Sequence, residues 1–332
     1  MTEPKRDGPD RRGVITTALA SVSASALAAC TGSREPSTPA DTPASRRSSS
    51  TSTPPSSSST TRQRLATPQA WQPHENEVEA WCKLTAVRQT VAALTVDGTR
   101  PGSPPTSALR PLARQVEDME QSVVEVVYPQ YGGLTRDRRQ ASVMLVLDLI
   151  GITNGSSEST RTSMTLDVRL RRRDSWQVTD VIIPTARQNA TPVPDGVGQL
   201  LRNGRIDLPR EARLDLASGR IDPTLVTVMS ALSQRWHLGV HVLRTGHPEN
   251  VFDTDRRSNH SRGRAVDIWS LDQIPVIDHD RAPWREVMEA AADEGADEVG
   301  GPADIGGAGP PYFTDHVHQD HLHVAFEWRG PN

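Results

Sequence analysis

Two short segments in the C-terminal third restrict what this chain can fold into more than any other feature. The first is Ser258-Asn259-His260-Ser261-Arg262-Gly263-Arg264-Ala265-Val266-Asp267, and the second is Asp320-His321-Leu322-His323. Read as strands, each has one polar and one apolar face, because residues two apart point the same way. Ala265 and Asp267 share a face while Val266 and Ile268 pack opposite. His321 and His323 project together while Leu322, Val324 and Phe326 face a core. If the two strands are neighbours, His260, Asp267 and a histidine of the second segment converge. Two imidazoles and one carboxylate suit Zn²⁺, and three protein ligands leave one tetrahedral position open, as in catalytic sites. No His-Glu-x-x-His occurs, which argues against the helix-based zinc peptidases, and no Gly-x-Ser-x-Gly elbow supports a serine hydrolase.

The first segment reads Ser-x-His-x-x-Gly-x-Ala-x-Asp and the second contains His-x-His. Together they resemble the signature of the zinc D-Ala-D-Ala carboxypeptidases, the VanY-like peptidases grouped with lysostaphin-type enzymes and hedgehog domains. The seven-residue step from His260 to Asp267 favours the D-Ala-D-Ala branch over the shorter lysostaphin spacing. The resemblance covers the C-terminal domain only. It implies Zn²⁺ held by His260, Asp267 and His323. It places Asp320, three residues before the last ligand, as the general base. His321 would polarise the carbonyl or stand behind the ligands, with His318 a weaker candidate for that task. Arg244, in "VLRTGH", would bind substrate or the oxyanion. His247 carries no assigned role. On an ideal strand Asp320 would point away from His321 and His323, so the resemblance requires Asp320 to lie on the preceding turn.

Around these motifs the chain reads as α+β. Residues 195–332 form the peptidase-like domain, with an antiparallel sheet. Asp222-Pro223 opens a helix through "TLVTVMSALSQRWH" that Gly239 closes, "VHVL" is a strand, and "APWREVMEAAADEG" is a helix ending at Gly295. Residues 187–198 read as the linker before it. Residues 71–190 form a smaller α+β domain of unassigned role. A helix over 75–95, with Val78, Trp81, Leu84, Val87, Val91 and Leu94 on one face, precedes the strand-like runs "SVVEVVYP", "ASVMLVLDLIGI", "MTLDVRLRRR" and "SWQVTDVIIP". One helix and a meander resemble cystatin or nuclear-transport-factor folds, at the level of fold alone. Residues 31–70 are mostly Ser, Thr and Pro and cannot bury enough apolar surface to order themselves, so they are expected to form a disordered tether. The low mean hydropathy of −0.53 fits that division.

The first thirty residues read as an export signal. A charged start is followed by a short run of small apolar residues ending in Leu27-Ala28-Ala29-Cys30, which resembles a bacterial lipobox with Cys30 as the lipidated residue. Arg11-Arg12 leaves both Sec and twin-arginine export open. The expected location is therefore extracytoplasmic, lipid-anchored to the outer face of the cytoplasmic membrane. With two cysteines in the chain, Cys82 then has no partner and is expected as a small buried hydrophobe. A net charge of −4 without a long basic run excludes nucleic acid as a partner. The expected substrate class is peptidoglycan stem peptides, with carboxypeptidase and endopeptidase action both open. The alternative is a wall- or partner-binding lipoprotein of the same fold that does not cut.

Overall fold

A computed structural model of the chain describes residues 64–98, 104–185, 192–307 and 309–327. The leader with Cys30, nearly all of the expected tether and much of the 187–198 linker lie outside the described residues. Among those described, no helix is long and apolar enough to cross a membrane.

The chain is mixed α+β, with two sheets and two hydrophobic cores that cluster within one unit. The N-terminal module runs α1 (Ala80–Leu94), β1 (Val96–Asp97), α2 (Arg110–Ala113), β2 (Met119–Leu134), β3 (Gln140–Thr153), β4 (Ser159–Arg172) and β5 (Trp176–Ile182). Its five strands pair antiparallel in sequence order, and the expected helix-then-meander is present. Leu84, Val87 and Leu94 pack inward as the helical spacing predicts, and Cys82 is fully buried. Trp81 departs from the pattern and is 68% exposed, because the buried stripe of α1 instead runs through Cys82, Lys83, Ala86 and Thr90.

One departure carries functional weight. The run "SVVEVVYP" ends at Pro129, where a missing N–H would ordinarily end strand pairing. Here β2 continues to Leu134, with register shifts between Val126 and Tyr128 and between Tyr131 and Gly133. These bulges add local twist and redirect side chains. They carry Gln130 and Tyr131 into the space beside the second sheet.

The C-terminal module runs α3 (Asp195–Leu201), β6 (Ile206–Asp207), α4 (Arg210–Ala217), α5 (Pro223–Arg235), β7 (Leu238–Val242), β8 (Ala265–Leu271), β9 (Ile274–Pro275), α6 (Trp284–Asp293), β10 (Glu298–Gly300), β11 (Tyr312–Phe313) and β12 (Leu322–Ala325). The sheet order is β11-β10-β12-β8-β7-β6, with β9 paired to β8. Asp222 caps α5 through its side chain, accepting from the Thr224 N–H at 2.9 Å. Gly239 does not close that helix. The chain leaves α5 at Trp236, and Gly239 lies inside β7, where a Cβ would meet the Ser270 hydroxyl at 2.0 Å. Contacts from Tyr128 help fasten β2 to this sheet. Tyr128 stacks on Trp269 with ring centroids 4.9 Å apart, and His241 Nε2 donates to the Tyr128 carbonyl at 3.1 Å.

Candidate metal centre

The two motif segments meet as neighbouring strands. β12 pairs antiparallel with β8, and His323 stands directly opposite Asp267. His260 reaches the same place from a one-turn 3₁₀ helix ahead of β8. Ser258 Oγ accepts from the His260 N–H at 3.2 Å, and the Gly263 N–H closes the turn on the His260 carbonyl at 2.9 Å. Gly263 then adopts φ +70°, and a Cβ there would lie 2.0 Å from the Arg220 carbonyl oxygen. That position therefore requires glycine, and its reversal turns the chain into β8 so that Asp267 returns beneath His260.

The convergence is tight. His260 Nε2 lies 3.1 Å from Asp267 Oδ1 and 3.2 Å from His323 Nδ1, and His323 Nδ1 lies 3.0 Å from Asp267 Oδ1. The second nitrogen of His260 donates to the Leu243 carbonyl at 2.6 Å, which leaves the Nε2 lone pair facing inward. Burial opposes the Asp267 charge, but His260 and His321 outweigh it and hold the carboxyl well below its usual range. Three potential ligand atoms thus meet in a buried pocket, where a cation can serve all of them.

His247 joins this group, which sequence reading left unassigned. Its Nδ1 donates to the Pro248 carbonyl at 2.8 Å, and its ring stacks on His260 at 4.0 Å. Burial pushes its pKa well below the ordinary histidine value, so its Nε2 keeps a lone pair. His247, His260 and Asp267 each offer one ligand atom within 4.8 Å of the others, and this cluster can hold a metal ion.

Two aspartate–histidine pairs stand beside the cluster. Asp320 lies on the turn before β12, where it is 2% exposed, and its Oδ1 accepts from His321 Nδ1 at 2.5 Å. His321 Nε2 then faces Asp267 Oδ1 at 3.8 Å. Asp315 Oδ1 accepts from His318 Nδ1 at 2.8 Å, and the His318 ring centroid is 5.0 Å from that of His321. A cavity of about 380 Å³ opens onto this face. Its wall includes His247, His260, Asp267, His318, His321 and His323, and also Tyr131, Gly133, Phe252, Arg256 and Glu298.

Asp320 and Arg244 are not on that wall. The other oxygen of Asp320 is taken by the ammonium of Lys83 and faces the Tyr131 N–H. Burial opposes its charge, but Lys83 and His321 hold its pKa down to about 2. It is bound inside rather than presented to solvent. Arg244 belongs to a loop whose backbone N–H donates to Asp215 Oδ2 at 3.1 Å, and the guanidinium on the cavity wall is Arg256 instead. Besides His247, sequence reading missed Lys83, Gln130 and Glu298. Gln130 Nε2 donates to Asp267 Oδ2 at 2.7 Å, and Glu298 Oε2 lies 3.8 Å from His323 Nε2. No protein-family model, curated protein or solved structure matches this chain.

Proposed function

We propose that this chain is an exported, lipid-anchored zinc metallopeptidase that hydrolyses peptidoglycan stem peptides. The observation that carries the reading is the convergence of His260 Nε2, Asp267 Oδ1 and His323 Nδ1 at 3.0–3.2 Å beside a histidine wall. Ligand atoms about 2.1 Å from a tetrahedral zinc lie about 3.4 Å apart, so this trio fits with a small expansion. His247 fits less well as a ligand, since rings stacked at an interplanar angle of 12° aim their lone pairs side by side rather than at a common point. The Leu243 carbonyl behind His260 would orient that imidazole on a bound metal, and Glu298 stands as a charged partner 3.8 Å from His323 Nε2.

A zinc ion held there supplies a Lewis acid that polarises the scissile carbonyl and acidifies water near neutrality. The chain's own residues perform the proton movements. His321, with Nδ1–H fixed on Asp320, has its Nε2 lone pair free to take a proton from the attacking water and return it to the leaving amine. His318, with its Nδ1–H held by Asp315, keeps an Nε2 lone pair on the cavity wall that can accept from water or from a substrate N–H. Arg256, on the cavity wall, offers a cation to a carboxylate of the peptide. Asp320 thereby orients His321 instead of meeting water itself.

The test is to load purified protein with Zn²⁺ and incubate it with a D-Ala-D-Ala peptide and with isolated muropeptides. Metal-dependent release of D-Ala, or of cleaved cross-links, is expected. Tight binding of muropeptides with no cleavage at any Zn²⁺ loading would replace the peptidase with a binding lipoprotein.

A further inference from the structure

Two side chains of the N-terminal module reach the metal centre, and neither has a role in the reaction set out above. Gln130 is fully buried and spans from β2 to the Asp267 carboxylate. Carboxylate oxygens only accept, so the Gln130 amide presents its N–H₂ there. With Oδ2 held by Gln130 at 2.7 Å, Asp267 turns a single oxygen, Oδ1, toward His260 and His323.

Lys83 is fully buried on α1, where the ordinary expectation is a solvated lysine. Its ammonium bonds Asp320 and also Glu77, at 2.5 Å, and lies 5.2 Å and 5.0 Å from the ring centroids of Tyr128 and Tyr131. It occupies Asp320 Oδ2 while His321 Nδ1 occupies Oδ1. The orientation of His321 thus depends on a carboxylate clamped from the other module.

We propose that Gln130 and Lys83 are positioning residues, so that the N-terminal module completes the metal centre rather than accompanying it. Gln130 fixes Asp267 as a one-oxygen ligand, and Lys83 fixes the Asp320–His321 pair. The inference rests on the metal reading above. It is independent of whether the bound ion cleaves anything. Four consecutive residues of β2, Tyr131 to Leu134, line the cavity, so the same strand that carries Gln130 also forms one wall for whatever enters. Cut away from this module, Asp267 Oδ2 and Asp320 Oδ2 would each lose their donors.

The experiment uses the whole chain and Co²⁺ as the probe, with its visible absorption reporting coordination and its dissociation constant measured by chelator competition. Gln130→Leu is expected to raise the Co²⁺ dissociation constant by about 10–100-fold, the usual effect of removing an outer-shell partner. Lys83→Met is expected to leave Co²⁺ affinity within about threefold while changing the imidazole ¹⁵N signals of His321 in the metal-free protein from the Nδ1–H tautomer to a mixture. Because removing Lys83 alone leaves two buried carboxylates adjacent, the double variant Glu77→Gln/Lys83→Met keeps the cluster's net charge and serves if the single variant does not fold. Trp81→Ala, on the exposed face of the same helix, should change neither readout.

Parent-like Co²⁺ affinity and absorption in Gln130→Leu overturns the first assignment. An unchanged His321 tautomer in the Lys83 variants overturns the second. A parent chain that binds Co²⁺ and shows both shifts but cleaves no peptide upholds this inference and refutes only the peptidase. A parent chain that binds no Co²⁺ overturns both.

Discussion

Replacing Glu298 by Gln should reverse its effect on metal binding between neutral and alkaline pH. In the metal-free protein the His323 side chain is 12% exposed. Its Nδ1 faces Asp267 Oδ1 at 3.0 Å and its Nε2 faces Glu298 Oε2 at 3.8 Å. Burial opposes an imidazolium there, but these two carboxylates outweigh it and push the His323 pKa up to about 9. A rise from 6.5 to about 9 corresponds to about 3 kcal/mol in favour of the bound proton. At pH 7 an incoming metal must displace that proton, which weakens apparent affinity by about 100-fold. Below pH 9 the affinity should therefore fall about tenfold per pH unit, with close to one proton released per ion. Removing the Glu298 charge lowers the His323 pKa and relieves this competition. It also replaces the charged partner of the His323 Nε2–H with a neutral amide, which holds the metal-bound ring less strongly. Glu298→Gln should thus bind Zn²⁺ more tightly than the parent at pH 6.5–7 and more weakly above pH 9. Isothermal titration in buffers of different protonation enthalpy gives both the affinity and the proton count. A variant-to-parent ratio that does not change with pH, or a parent that releases no proton at pH 7, would refute the reasoning. The same shift predicts stability of the metal-free chain. A histidine whose folded pKa lies above its unfolded value stabilises fully below pH 6.5 and loses that contribution as pH rises to about 9. Urea melts of chelated protein should show it.

Asp320→Asn should retain stoichiometric zinc by elemental analysis and lose about 10²–10⁴-fold in turnover, because His321 loses the carboxylate that stabilises its protonated form. Parent-like cleavage would show that His321 is not the proton carrier. Gly263→Ala should cost about 1–3 kcal/mol from the left-handed backbone alone, and more from the collision with the Arg220 carbonyl, read as a lowered midpoint in denaturant and weaker metal binding. A midpoint equal to the parent's would mean that the turn holding His260 relaxes freely.

How much of this was legible in the sequence depends on whether the informative contact is local. Asp267 and His323 fall opposite each other because strand periodicity fixes which residues share a face, and the apolar alternation of Val266, Ile268, Leu322 and Val324 fixes which face is inward. The Asp222 cap and the helix end at Gly295, with φ +90°, were legible for the same reason. Lys83 and Gln130 were not. A lysine on an amphipathic helix reads as solvated unless its partners are known, and Asp320 is 237 residues away in the chain. Gln130 was hidden by Pro129, since the rule that proline ends a strand does not foresee a bulge that lets pairing continue. Trp81 was misplaced because helical spacing fixes the angles between side chains but not which neighbouring stripe meets the sheet.

The charges in the buried region supply an independent reason to expect a divalent ion. Asp267 and Asp320 are 1% and 2% exposed, and the Glu77 side chain is 1% exposed, against a single ammonium, that of Lys83. Buried ion pairs of this kind seldom stabilise a fold relative to apolar packing, because desolvation offsets most of the attraction. Their physical justification is therefore position, not strength. Lys83 neutralises one carboxylate and leaves the charge of two. In the metal-free protein the proton on His323 answers only part of that remainder. A dication between His260, Asp267 and His323 answers all of it, where their three ligand atoms already lie 3.0–3.2 Å apart and the His323 proton would be displaced.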